Sequence, residues 1–266
     1  MNTTQLLNTA IQAAIDAGKA ILQIYNDPAA DFNIQRKADN SPLTIADQAS
    51  HNIIKATLEK TNFPILSEEG KDIPYESRKD WKTFWLVDPL DGTKEFIKRN
   101  DEFTVNIAVV KNGVPVLGVI YVPVSGKLYV GEVDFGAWRL ENVKEAVTST
   151  TVEMEGVQLP VAKNHTEYRV VGSRSHLNDD TKNYVEGLKD IHPEVEMVSK
   201  GSSLKICMVA EGAADEYPRF GPTMEWDTAA GHALANAAGK HLWLTDFSRE
   251  LQYNKENLLN PYFIAR

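Results

Sequence analysis

Apolar residues return at helical spacing through the first stretch of the chain. Leu6, Leu7, Ala10, Ile11, Ala14, Ile15 and Leu22 fall on one face behind a threonine-rich start. The spacing predicts an amphipathic helix over 3–25, capped by that polar start. A second helix is expected over 44–59, after Pro42, with Ala46, Ala49, Ile53, Ile54 and Leu58 inward. Strand candidates follow at 64–66, 83–87, 104–111, 114–122, 127–130 and 136–140. Asn112-Gly113, between two of them, is a strong hairpin signal. From 141 to 161 the periodicity fades, so two sub-domains are expected, 1–155 and 156–266. In the second, strands at 168–172, 194–198, 215–217 and 241–244 alternate with helices at 180–188, 202–211 and 226–238. Gly239 fits the end of the last helix. Such blocks in both halves predict an α/β (α+β) chain of layered sheets with helices between them.

Composition narrows the function. With 266 residues the chain can bury a substantial core. It has no apolar run near the ~20 residues that span a bilayer, and its polar start is unlike a signal peptide. A single cysteine, Cys207, allows no internal disulfide. It lies among Ile206, Met208 and Val209 and reads as core. These features fit a cytoplasmic protein and leave loose association with the inner face of the membrane open. A formal charge of -9 argues against a nucleic-acid polymer as partner. It leaves room for a small anionic substrate held through cations that the chain's own acids recruit.

The chemistry concentrates in acidic motifs at the ends of apolar runs. Trp85-Leu86-Val87 leads into Asp88-Pro89-Leu90-Asp91-Gly92-Thr93. Proline restrains the link between the two aspartates. Glycine permits close backbone approach, and amides that open a helical turn at Gly92-Thr93 would face an anion. Oxygen ligands of this kind suit Mg²⁺ bridging to phosphate. A bare Asp-x-x-Asp-Gly is more often a turn. The adjacent Glu68-Glu69 pair alone reads as solvated surface, Asp227 as a helix N-cap and Thr44-x-x-Asp47 as a capping box.

Together and in this order, the acid pair after a strand, Trp-Leu-Val-Asp-Pro-Leu-Asp-Gly-Thr and Trp-Asp-x-Ala-Ala-Gly resemble the inositol monophosphatase-like family of Mg²⁺-dependent, lithium-sensitive phosphatases. The resemblance covers nearly the whole chain. It implies a layered αβαβα sandwich of the sugar-phosphatase type. The stretches 37–47, 172–178 and 201–233 resemble its bacterial 3'(2'),5'-bisphosphate nucleotidase branch. Those enzymes hydrolyse adenosine 3',5'-bisphosphate to AMP and phosphate, clearing a by-product of sulfate assimilation.

Carried over by motif position, the resemblance implies Glu68, Asp88, Asp91 and Asp227 as carboxylate metal ligands, with the Leu90 carbonyl as a further one. Asp47 and Thr93, together with Glu68, match the positions that activate the attacking water, and no phosphoenzyme is expected. Two or three Mg²⁺ ions would stabilise the departing ribose oxygen. Gly92 and Thr93 would grip the phosphate, and Asp227 would also border the substrate. Ser173, Ser202, Ser203, Lys205 and Arg219 lie where that branch holds its nucleotide. On its own, Lys205 reads equally as a solvated helix residue, and Arg219 as a surface ion pair. His176 could meet the purine, although surface histidines are common. An inositol monophosphatase or other sugar-phosphate phosphatase, and a non-catalytic Mg²⁺- and nucleotide-binding regulator, are the alternatives. Monomer and homodimer are both open.

Overall fold

A computed structural model describes residues 2–29, 32–36, 42–70, 73–161, 165–173 and 178–266. The first half contains α1 (Thr3–Tyr25), β1 (Gln35–Arg36), β2 (Pro42–Leu43), α2 (Ile45–Leu58), β3 (Ile65–Ser67), α3 (Tyr75–Arg78), β4 (Thr83–Asp91) and α4 (Thr93–Ile97). It continues with β5 (Thr104–Lys111), β6 (Val114–Val122), β7 (Lys127–Glu132), β8 (Gly136–Leu140), α5 (Ser149–Glu155) and β9 (Val157–Gln158). The second half adds β10 (Tyr168–Ser173), α6 (Asp179–Leu188), β11 (Val195–Lys200), α7 (Leu204–Glu211), β12 (Tyr217–Arg219), α8 (Glu225–Ala237), β13 (Leu242–Leu244) and β14 (Phe263–Ala265).

The helices predicted over 3–25 and 44–59 form almost as expected. The cap of α1 is Asn2 rather than a threonine, because Asn2 and Gln5 satisfy each other's backbone amides. Thr44 caps α2 in a capping box with Asp47. The hairpin at Asn112-Gly113 forms with positive φ at both residues, 51° and 78°, as a tight primed turn requires.

Seven strands make the main sheet, in the order β3-β4-β5-β6-β7-β8-β9. All neighbours run antiparallel except the parallel pair β3 and β4. Both faces are covered, which is why its strands read as nearly continuous apolar runs. Trp85, Val87, Val105 and Ile107 pack towards α1 and α2. Phe84, Leu86, Ala108 and Val110 pack on the other face with α7 and α8. Beyond those helices lies the second sheet. β10 pairs with β11, β12 with β14 and β14 with β13, and the bridge Val170–Glu216 joins the two groups. With α6 outermost against β12, the layers run αβαβα, as expected. The strand expected at 215–217 lies at Tyr217–Arg219, since the 215–216 backbone is spent on bonds to Arg169.

Two glycines let α8 lie directly on the main sheet. A Cβ on Gly118 would sit 2.2 Å from the Ala230 carbonyl oxygen, and one on Gly131 would sit 2.3 Å from the Leu234 Cα. Backbone cannot yield as a flexible side-chain tip does. Gly118→Ala should therefore destabilise the chain by about 1–3 kcal/mol, as overpacking does. Urea unfolding read by far-UV circular dichroism checks this, and an unchanged midpoint would refute the close-contact argument. Among the described residues, no helix is long and apolar enough to cross a membrane.

Candidate active site

The Asp88–Asp91 motif owes its geometry to a bulge. In a regular strand, residues three apart face opposite sides of the sheet. Here Asp88 stands opposite Asn106 but Asp91 opposite Thr104, so Pro89 and Leu90 together face a single residue of β5. The extra residue reverses the alternation and brings both carboxylates to one side. Proline suits the position because it has no N–H to give to the ladder. The Ser50 hydroxyl pins the Pro89 carbonyl at 2.6 Å, and the Asp88 carboxylate accepts from the Leu90 amide at 3.1 Å. The strand expected to end at Val87 therefore runs on through Asp91. Gly92 then turns the chain into α4 with φ 94°. Any Cβ there would stand 3.2 Å from both the Glu102 carbonyl oxygen and the Ser202 Cβ.

The acids from distant parts of the chain converge. Glu68 enters on the turn after β3, Asp88 and Asp91 on the β4 bulge, and Asp227 on the first turn of α8. Glu68, Asp91 and Asp227 line one cavity of about 670 Å³, and Asp88 is buried beside it. Burial pushes the Asp88 carboxyl well above the usual carboxylate range. Glu68, Asp91 and Asp227 push it further, and Glu68 also hydrogen-bonds to it. Burial raises Asp227 well above that range too, with Asp91 and Glu68 adding to it and the Met224 amide partly offsetting them. Asp227 is the third helical residue, not the N-cap. The cap is Met224, whose amide Asp227 accepts at 2.9 Å.

Asp47 approaches from the other side of the motif. One of its oxygens takes the Thr44 amide at 2.7 Å and the Thr44 hydroxyl at 2.6 Å. The other accepts from the Thr93 hydroxyl at 3.1 Å. Thr93 and Gly92 reach the cavity, and so do Ser173, Ser202, Ser203, Lys205 and Arg219. His176 lies outside the described residues. Lys205 is not a solvated helix residue but is buried. Its ammonium donates to the Ser202 carbonyl at 2.5 Å and lies 5.5 Å from the centre of the Tyr217 ring. Burial draws it down to about 8; Arg219 adds to that, and Asp91, Glu95 and Asp227 partly offset it. Arg219 donates to the Pro222 carbonyl at 2.8 Å, and its buried Nε has no hydrogen-bond partner among the described residues. Ser203 turns its hydroxyl to Asp91 at 2.7 Å, with the Asp227 carbonyl 3.1 Å away.

Two residues that sequence reasoning passed over belong here. Thr104 and Asn106 are buried polar residues on the cavity side of β5, and Asn106 reaches Ser203 at 2.7 Å. The available signal was their alternation: polar side chains at 102, 104 and 106 interrupt an otherwise apolar strand.

Oxygen atoms dominate this wall of the cavity, which is the donor chemistry of hard cations. As the side chains stand, no three His, Cys, Asp or Glu among the described residues form a closed ligand group. Mg²⁺ is commonly held through one or two carboxylates and keeps several of its own waters. The raised carboxyls give the second indication. Crowded acids must take up protons or share a cation.

A model of the inositol monophosphatase family matches residues 2–261, and the chain belongs to that family, whose members depend on Mg²⁺. Within it, the chain is 46% identical over 264 residues to the 3'(2'),5'-bisphosphate nucleotidase CysQ of Escherichia coli O157:H7, covering 97% of this chain and 98% of that one. The crystal structure of CysQ from Bacteroides thetaiotaomicron superposes with a TM-score of 0.92 at 53% identity, over 99% of this chain and 97% of that one. The inositol monophosphatase of Anabaena sp. PCC 7120 shares the fold, with a TM-score of 0.73 at 24% identity, over 100% of this chain and 91% of that one.

Proposed function

We propose that this chain is a 3'(2'),5'-bisphosphate nucleotidase, hydrolysing adenosine 3',5'-bisphosphate to AMP and phosphate. The observation that carries this beyond a general phosphatase is a pair of cations, the buried Lys205 and the half-buried Arg219, in the same cavity as the acids. A monophosphate does not need them, whereas a second phosphate does. The Nε of Arg219, without a hydrogen-bond partner among the described residues, is a donor that an anion would satisfy. Near-full-length likeness to nucleotidases supports the same substrate class.

We assign Glu68, Asp88, Asp91, Asp227 and the Leu90 carbonyl to two or three Mg²⁺ ions. When bound, such ions lower the pKa of water and neutralise charge on the phosphoryl and leaving oxygens. The chain's own groups orient that water. The Thr93 hydroxyl donates a hydrogen bond to Asp47, which leaves the Thr93 oxygen to accept one from the attacking water. Asp47 stays fixed meanwhile through its two bonds to Thr44. The Gly92 and Thr93 amides hold the scissile phosphate, while Ser173, Lys205 and Arg219 hold the second; the Ser202 hydroxyl, expected there, is spent on Thr104. Residues 1–155 thus supply most of the metal ligands, and 156–266 complete the site.

Phosphate release in Mg²⁺ buffer tests the assignment. With adenosine 3',5'-bisphosphate, kcat/KM should exceed that for inositol 1-phosphate or fructose 1,6-bisphosphate at least tenfold. Equal or inverted preference would favour a sugar-phosphate phosphatase, and no release from any of the three would leave only a binding regulator.

A pH dependence follows from Lys205. Its amine is cationic below about 8 and neutral above, so attraction for the second phosphate is present at lower pH and lost as pH rises. KM for the bisphosphate should climb above pH 8. In Lys205→Arg, whose guanidinium keeps its charge, the climb should disappear. Steady-state kinetics between pH 6.5 and 9.5 check it, and parallel profiles would refute it.

A further inference from the structure

We infer that Glu102, Thr104 and Asn106 act together as positioning residues that lock the 201–203 loop of the second half to Asp91. The inference rests on the metal reading of Asp91.

Thr104 and Asn106 alternate on β5, so their side chains leave one face of the strand, and Glu102 lies two residues before it. Their neighbours Phe103, Val105 and Ile107 go to the opposite face, in the core with α1 and α2. Each of the three engages one consecutive residue of the loop. Glu102 accepts from the Gly201 amide at 2.8 Å. Thr104 and Ser202 share a hydroxyl–hydroxyl bond of 2.9 Å. The Asn106 amide donates to the Ser203 hydroxyl at 2.7 Å. For consecutive loop residues to meet one strand face, the loop backbone must depart from a regular path. Ser202 does so, with φ 45°, a left-handed conformation that is unfavourable for a non-glycine residue. Such a conformation persists only where its surroundings over-determine it.

Donor and acceptor counting gives the chain of bonds one direction. An ionised Asp91 can only accept, so the Ser203 hydroxyl donates to it, at 2.7 Å. The Ser203 oxygen then accepts from the Asn106 NH₂. The Asn106 carbonyl accepts from the Thr104 hydroxyl at 3.0 Å, which leaves Thr104 to accept from Ser202. Rotating the Asn106 amide would turn its carbonyl oxygen toward Ser203 and Asp91, whose carboxylate stands 3.4 Å from the NH₂, so the network selects this orientation. Every hydroxyl proton from Ser202 to Asp91 is thereby committed. One oxygen of Asp91, Oδ2, is held by this chain of bonds, and the other is the one offered to a cation. Partners of this kind set the affinity of a metal site although they touch no metal.

The test is a Mg²⁺ titration of the full chain followed by its thermal midpoint, which reads binding without turnover. In Asn106→Ala and Ser203→Ala, the Mg²⁺ concentration for half the shift should rise about ten- to hundredfold. The double variant should lose no more than the worse single, because both cut one chain. Thr104→Val, nearly the same in shape, should raise it in the same direction and decides the matter if either alanine variant does not fold. Half-saturation within threefold of the parent in all folded variants, whatever their midpoints without Mg²⁺, would overturn the inference. A parent whose midpoint ignores Mg²⁺ would instead overturn the metal reading beneath it.

Discussion

Asp91→Asn is expected to lower phosphate release at least about a thousandfold, since a metal-held charge stabilises the transition state by several kcal/mol and each 1.4 kcal/mol is tenfold. The same substitution should leave the midpoint without Mg²⁺ unchanged or raise it. Asp91 is one of three carboxylates that push the buried Asp88 upward, and it is the first charged neighbour to do so at Asp227. Removing its charge removes repulsion that no metal ion offsets in Mg²⁺-free buffer, set against the loss of its attraction for Lys205. The amide keeps a carbonyl oxygen that can accept from Ser203. Loss of activity with unchanged or higher apo stability distinguishes a ligand from a structural residue, because an aspartate holding the fold would cost stability when neutralised. Near-normal turnover would show that the site lies elsewhere.

The second large effect belongs to Lys205. Its ammonium is buried, with carbonyls and the Tyr217 ring about it. A phosphate meeting it displaces little water, so the contact is worth more than at a surface. Truncating one partner of a buried charged hydrogen bond costs about 2–5 kcal/mol. Lys205→Ala should therefore raise KM for adenosine 3',5'-bisphosphate by about 30-fold or more. Turnover of a simple monophosphate such as inositol 1-phosphate should change only a few-fold. Parallel steady-state measurements on the two substrates read the difference. Equal losses on both would mean that Lys205 serves the fold or the acids rather than a second phosphate.

Long elements with a clear period were legible in the sequence. α1, β5 and β6 lie where the apolar pattern places them, because a buried face must repeat with the geometry of its element. Short elements were not. α4 has five residues and β14 three, too few for a period, and tertiary contacts hold them. β4 was cut short because proline ordinarily argues against strand, and only the pairing with β5 shows that Pro89 sits in a bulge. The acids were legible because each ends or opens an element in a compact motif. Their supporting shell was not. Asn106 meets Ser203, and Glu102 meets Gly201, across about a hundred residues, and no local pattern marks such a contact. Lys205 shows the same limit from the other side. Its helical setting was visible, while its burial depends on Tyr217 and the 200–202 backbone.

Crystals soaked in Mn²⁺, which takes the same oxygen ligands as Mg²⁺, test the convergence of the acids most directly through an anomalous difference map. Peaks should appear among Glu68, Asp88, the Leu90 carbonyl, Asp91 and Asp227, and Asp91→Asn should weaken or abolish at least one. A map with no peak at those residues, at Mn²⁺ concentrations that support phosphate release, would contradict the assignment of these acids to divalent cations.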